Sequence, residues 1–247
     1  MDTNMAAKPL SIYEILRQEI LDLSLLPGSE LSEAEICTRF NASRTPVRTA
    51  MQRLIDDRLV EAVPYKGFRV SLLDADYIRQ MVYLRTVMEA NIIIDFIKLD
   101  DPVYIEDVRH QLSLQKILID SGRPNPSEFY KLDSELHGLW FEKTGYPLLW
   151  VQIQQSEVYY KRFRMMDLVE KNSYQAIYEE HMKLFALITE KRASDIPSLM
   201  EYHFLGGFRR LKDLLSGTCR NYFSDTEDLD KFIAFLGSQK QPQNFNK

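Results

Sequence analysis

Ser43-Arg44-Thr45-Pro46-Val47-Arg48-Thr49-Ala50-Met51-Gln52-Arg53 is the stretch that decides how the first part of this chain reads. It follows a short helical segment, Ser32 to Phe40, and a two-residue break, Asn41-Ala42. The pattern is helix, tight turn, second helix. Ser43 is a favourable N-cap, and Pro46 falls in the first turn, where a missing N–H costs little. Arg44, Thr45 and Arg48 crowd the N-terminal end of the second helix. That is the end a recognition helix turns toward base edges in the major groove. The stretch therefore predicts a helix-turn-helix that reads double-stranded DNA.

The flanking sequence completes the unit. Ser11 to Leu25 predicts a helix whose apolar face is Ile12, Ile15, Leu16, Ile20 and Leu23, ended by Pro27-Gly28. Leu59 to Val63 and Phe68 to Ser71 alternate as short strands around Pro64-Tyr65-Lys66-Gly67, a hairpin with a glycine turn. Helix, helix-turn-helix and hairpin make a winged helix. The net charge of −5 argues against nucleic acid only as a total. Residues 39–69 hold seven basic side chains against three acidic ones, a net of +4, and a local patch is what phosphate contact needs.

Leu73-Asp74-Ala75-Asp76 is the expected boundary, where the pattern changes. The expected organisation is a disordered tail over 1–10, a winged helix-turn-helix over 11–73 and an all-helical domain over 76–236. Helices are expected near 76–99, 102–121, 127–143, 147–169, 173–190, 195–215 and 225–236, with a frayed end over 238–247. The short breaks between them favour antiparallel neighbours in a bundle, so the fold class is mainly α. No run of about 18 apolar residues predicts a membrane span. Met1 to Leu10 lacks the pattern of a secretion signal. Cys37 and Cys219 match no metal or redox spacing. A cytoplasmic protein with reduced thiols is expected.

Three of the four histidines fall on apolar helix faces. His181 continues the face of Ile177, Leu184 and Ile188, and His203 that of Ile196, Leu199 and Gly206. Asp133 and His137, four apart, share a face with Phe129, Leu136 and Trp140. The break between the last two long helices centres near Arg192, eleven residues from both His181 and His203. In an antiparallel hairpin both would sit roughly 16 Å from the turn. One oxygen and three nitrogens suit one Zn²⁺ per chain, or Ni²⁺ or Mn²⁺ with added waters. Isolated core histidines are the alternative. His110 is expected to face solvent. The absence of an H-E-x-x-H pattern and of an obvious general base speaks against an enzyme.

Arg85 lies among Ile78, Met81, Val82, Met88 and Ile92, and a buried guanidinium must meet an anion. Glu89, one turn on, is one partner; the carboxylate of a ligand is the other. Tyr159, Tyr160, Arg162 and Arg164 cluster on another helix, with Tyr160 and Arg162 selected beside Arg85 as effector-binding residues and at least one of the cluster expected at the surface. For DNA, Arg44 and Arg48 can each fork onto guanine, Ser43 and Thr45 suit phosphate oxygens, and Gly67 lets the wing tip, with Lys66 and Arg69, approach the minor groove.

Leu31-Ser32-Glu33, Ser43 to Arg48 and Lys66-Gly67-Phe68-Arg69-Val70 resemble the winged-helix motif of the GntR superfamily of bacterial transcription factors. The helical remainder resembles its FadR-type branch with an FCD effector domain, whose metal-binding pattern falls on Asp133, His137, His181 and His203. The resemblance spans roughly residues 11–215. It implies a homodimer on a palindromic operator, most simply a repressor, released or retained by a small organic acid near the metal. A regulator for which the ion itself is the signal is the alternative. The chain departs from the pattern at Ala34, where an arginine is common, and in Thr49-Ala50-Met51, which replaces Glu-Ala-Leu.

Overall fold

The computed structural model describes residues 11–156 and 158–238. The tail expected over 1–10 lies outside them, as do residues 239–247, where a frayed end is expected. The chain divides into two compact units between Leu72 and Leu73.

The first unit holds α1 (Ile12–Leu21), β1 (Glu30–Leu31), α2 (Glu33–Arg39), α3 (Arg44–Asp56), β2 (Val60–Val63) and β3 (Gly67–Val70). Ser11 and Glu14 form a reciprocal capping box at the start of α1. The helix stops at Leu21 rather than Leu25, because Leu23 takes a positive φ of 65°. Ser32 caps α2 by accepting from the Glu35 N–H. Ser43 stands at the N-cap of α3, but its hydroxyl makes no capping bond. The third helical residue there is Pro46, which has no N–H to offer. Packing carries the helix instead. Val47, Ala50, Met51 and Leu54 are buried, with Leu16, Ile20 and Ile36 part of the same unit's core. Each large side chain contributes about 1.5–3 kcal/mol on burial, against about 1 kcal/mol for a missing cap bond.

The three strands form an antiparallel sheet in the order β1-β3-β2, with Val60 opposite Val70, Val63 opposite Gly67 and Leu31 opposite Phe68. A two-residue strand such as β1 leaves no alternation to read in sequence. At the hairpin tip the Lys66 N–H donates to the Val63 carbonyl, and Tyr65 has φ 64°. Gly67 has φ 105°, and a Cβ there would lie 3.2 Å from the Leu31 carbonyl oxygen. Its conformation and the approach of β1 both call for glycine.

The second unit contains α4 (Ala75–Leu99), α5 (Pro102–Asp120), α6 (Pro126–Lys143), α7 (Pro147–Ser156), α8 (Val158–Lys171), α9 (Tyr174–Thr189), α10 (Ile196–Phe204), α11 (Gly206–Leu215) and α12 (Thr226–Ser238). Asp74, Asp101 and Asn125 cap α4, α5 and α6 through side-chain oxygens, and α5 and α6 each begin with proline. The 147–169 segment is described as α7 and α8 on either side of residue 157, which lies outside the described residues. One expected helix is divided among the described residues. The 195–215 segment is α10 and α11, interrupted at Leu205 before Gly206-Gly207, the poorest helix formers available short of proline. Gly207 also admits a ring: its Cβ would meet Phe163 at 3.2 Å. No helix among the described residues is long and apolar enough to cross a membrane.

Gly67→Ala should cost about 1–3 kcal/mol, the usual range for a residue forced into such a conformation. Urea unfolding checks this; an unchanged midpoint would show that the β1–β3 contact does not constrain the wing.

Candidate metal centre and nucleic-acid interface

The bundle brings Asp133 and His137 of α6, His181 of α9 and His203 of α10 together in its core. One ligand atom from each can be chosen such that all four lie within 4.8 Å of one another. All four residues are buried. The His181 and His203 rings are 4.9 Å apart by centroid, His137 and His203 5.3 Å, and His137 and His181 5.4 Å. His110 is exposed and stands apart from this set.

A second layer fixes each ring. His137 Nδ1 lies 2.5 Å from Glu89 Oε2, His181 Nδ1 2.9 Å from Gln115 Oε1, and His203 Nδ1 2.7 Å from Glu180 Oε2. An ionised carboxylate or an amide oxygen only accepts, so each Nδ1 carries the hydrogen and donates. Each Nε2 is then left with a lone pair, the form in which imidazole binds a metal. Nε2 of His137 and of His181 are buried and have no hydrogen-bond partner among the described residues. A buried polar atom left unpaired is costly. Two such atoms in one cluster, with a carboxylate beside them, fit a divalent cation. The donor set, three nitrogens and one oxygen without a thiolate, suits Zn²⁺, Ni²⁺ or Mn²⁺.

The second layer is itself anchored. Arg85 Nε donates to Glu89 Oε1 at 2.6 Å, and its guanidinium lies over the rings of Phe204, Tyr160 and Trp150 at 4.7, 5.1 and 5.4 Å. The anion that a buried Arg85 requires is thus supplied by Glu89. Gln115 donates to the Leu132 carbonyl at 3.4 Å. Arg210 donates to Glu180 at 2.9 Å and to both oxygens of Asp167. Arg164 donates to Asp133 at 3.3 Å and lies 3.8 Å from Asp167, while its Nη1 is buried without a hydrogen-bond partner among the described residues. Tyr160, Arg162 and Arg164 are buried and Tyr159 is half-buried, so no member of that cluster is fully at the surface as sequence had suggested.

Burial opposes ionisation of Asp133, but Arg164 and then the three imidazoles outweigh it and hold the carboxyl well below its usual range. Burial likewise opposes Glu89, which Arg85 and His137 keep ionised. Burial pushes His181 well below the ordinary imidazole value, reinforced by His203 and opposed by Asp133. Burial lowers His203 too, against the pull of Glu180. Arg162 is drawn down to about 10 by burial, with Tyr159 opposing.

In the first unit Ser43, Arg44, Thr45 and Arg48 are exposed at one end of α3, opposite its buried stripe. Arg48 Nε donates to Glu33 Oε2 at 2.9 Å, and Arg44 Nε lies 3.6 Å from Glu33 Oε1. On the wing Lys66 is exposed, and Arg69 pairs with Glu61 across the strands at 2.7 Å. Arg53 stacks on the Tyr13 ring at 3.7 Å, apart from the exposed end of the helix.

Two lowered imidazoles fix a direction for pH. The unfolded chain takes up protons on His181 and His203 below about pH 6.5, while the fold keeps them neutral. Their contribution is therefore present above that pH and is lost as pH falls through it. With chelator present, stability should fall as pH drops from 7 toward 5, with about 1.4 kcal/mol per pH unit as the ceiling for each imidazole. Urea titrations at several pH values check this; a flat profile over that interval would contradict the neutral assignment.

Known proteins share both units. Residues 9–70 match the model of bacterial regulatory proteins of the gntR family, and residues 80–206 match the FCD domain. The chain is 26% identical over 192 residues to the HTH-type transcriptional repressor RspR of Escherichia coli K12, covering 78% of this chain and 83% of that one. It is 22% identical to the Nta operon transcriptional regulator of Aminobacter aminovorans, covering 82% and 93%. Among solved structures, E. coli McbR/YncC aligns with a TM-score of 0.62 at 16% identity, covering 82% of this chain and 96% of that one. A GntR regulator from Rhodococcus sp. RHA1 aligns with a TM-score of 0.57 at 20% identity, covering 93% and 97%. These proteins are regulators rather than enzymes, and the chain belongs to the GntR family of DNA-binding transcriptional regulators, with an FCD domain as its second unit.

Proposed function

We propose that this regulator is a cytoplasmic repressor that binds a palindromic operator as a homodimer, and that a small organic acid beside a divalent metal sets its DNA affinity. One observation carries the metal reading: the buried Nε2 atoms of His137 and His181 make no hydrogen bond among the described residues, and they sit in one cluster with Asp133 and His203, with His181 Nε2 3.5 Å from Asp133 Oδ1. These four residues would hold the ion, most simply Zn²⁺, which would supply a Lewis-acidic centre for a carboxylate. Arg85, Tyr160 and Arg162 are the proposed effector-binding side chains; Arg85 would meet a ligand carboxylate while its Nε stays on Glu89. The buried Nη1 of Arg164, 3.8 Å from Asp167, adds a donor without a hydrogen bond on the guanidinium whose Nη2 meets Asp133. A guanidinium fork matches a carboxylate, which is why an organic acid suits the site better than a neutral metabolite.

On the DNA side, Arg44 and Arg48 are proposed to read guanines, Ser43, Thr45 and Arg69 to hold phosphates, and Lys66 and Gly67 to bring the wing to the minor groove. One reading head covers a half-site, so two chains are required for a palindrome. Tyr83, Leu84 and Val87 form an exposed apolar ridge on α4. Tyr83 and Val87 also line a groove of about 780 Å³, with Val82, Ala90 and Phe232. An exposed apolar face of this kind is the surface we assign to the second copy.

Purified protein should carry about one divalent ion per chain, and chelation should lower its thermal midpoint, because a ligand bound only by the fold stabilises it. His181→Ala and His203→Ala should lose the ion, whereas His110→Ala should keep it. Elemental analysis finding no metal after reconstitution would refute the site. A change in DNA affinity on adding the metal alone would favour the ion as the signal.

A further inference from the structure

Glu33 is the first residue of α2, yet its side chain serves α3. Its two carboxylate oxygens divide between two arginines: Oε2 takes Arg48 Nε at 2.9 Å, and Oε1 faces Arg44 Nε at 3.6 Å. The carboxylate is 22% exposed, while the Arg44 and Arg48 side chains are 78% and 64% exposed. Arg44 and Arg48 are one helical turn apart, so they share a face at the N-terminal end of α3.

Resting on the proposed reading of bases by Arg44 and Arg48, we infer that Glu33 is a specificity-determining residue for DNA: a carboxylate that positions both arginines and penalises duplexes lacking the right bases. An exposed arginine loses much rotamer freedom when it docks, and a guanidinium already held by a carboxylate loses less. On both side chains the closest approach to Glu33 is through Nε. The terminal Nη pair is the edge that forks onto guanine O6 and N7. The carboxylate also brings a negative charge toward the phosphates. On a matched site the arginine–base bonds offset that repulsion. On an unmatched site nothing does, so the charge lowers background binding more than specific binding. Specificity rises while overall affinity falls.

The test uses the full-length protein and a duplex selected by the wild type from a randomised library. Affinities for that duplex and for random-sequence DNA are measured at one fixed salt concentration. Glu33→Gln keeps the shape and removes the charge. It should raise affinity for random DNA and lower the specific-to-random ratio about tenfold, the scale of one lost base contact. Glu33→Asp keeps the charge but withdraws it from the arginines. It should lower the ratio with random-DNA affinity unchanged. In an Arg48→Ala background, Glu33→Gln should lower the ratio less than in the wild type. Circular dichroism melting should give wild-type midpoints for both single variants. An unchanged ratio in Glu33→Gln, or a parallel loss of both affinities, would overturn the inference and leave Glu33 as a helix-start residue only. If Glu33→Gln melts early, Glu33→Asp decides by the same ratio.

Discussion

A buried imidazole whose lone pair accepts no hydrogen bond is the constraint from which the second unit is built. Each of the three histidines spends its Nδ1 hydrogen on an acceptor, namely Glu89, Gln115 or Glu180. A carboxylate buried for that purpose needs a cation in turn, since an unpaired charge in the core costs several kcal/mol. Arg85 answers Glu89 and Arg210 answers Glu180. Arg210 also binds Asp167, and Arg164 lies between Asp167 and Asp133. From Asp133 the charges run through Arg164, Asp167, Arg210, Glu180 and His203 back to the cluster. This arrangement joins α6, α8, α9, α10 and α11, and the Glu89 branch adds α4. Metal ligation would complete a network that otherwise leaves buried imidazole nitrogens without hydrogen bonds.

The same network reaches the C-terminal segment, which lies beyond residue 206, where the FCD match ends. Arg210 stands on α11, and the chain then turns back through Phe223, which forms a parallel bridge with Leu73. The Leu73 N–H donates to the Tyr222 carbonyl at 2.7 Å, and the Ser224 N–H donates to the Leu73 carbonyl at 2.9 Å. Leu73 is the first residue of the second unit. The segment that follows α11 thus holds the start of the helical unit by backbone bonds, and α12 packs on α4.

Much of this was legible in the sequence because it follows simple periodicities. The i, i+4 pair Asp133 and His137 had to share a helix face, and the equal spacing of His181 and His203 from Arg192 placed them level. The winged helix was legible because Pro46, Gly67 and the alternating strands each demand a particular backbone. The second layer was not. Glu180 and Gln115 are ordinary polar residues without a spacing signal, and Glu89 was visible only as a partner for Arg85, not as the acceptor for His137. Their roles arise from contacts across 23 to 66 residues of sequence. The division between α10 and α11 was signalled by Gly206-Gly207, which the apolar pattern around them masked. The missing cap at Ser43 followed from Pro46 three positions on.

X-ray absorption at the metal edge of the reconstituted protein tests the central claim most directly, because it reports the donor atoms themselves. The account predicts imidazole scattering from three nitrogens with light-atom donors at about 2.0–2.2 Å for Zn²⁺, and loss of one imidazole in His203→Ala. A sulfur shell at about 2.3 Å, or a spectrum unchanged by His203→Ala, would contradict it.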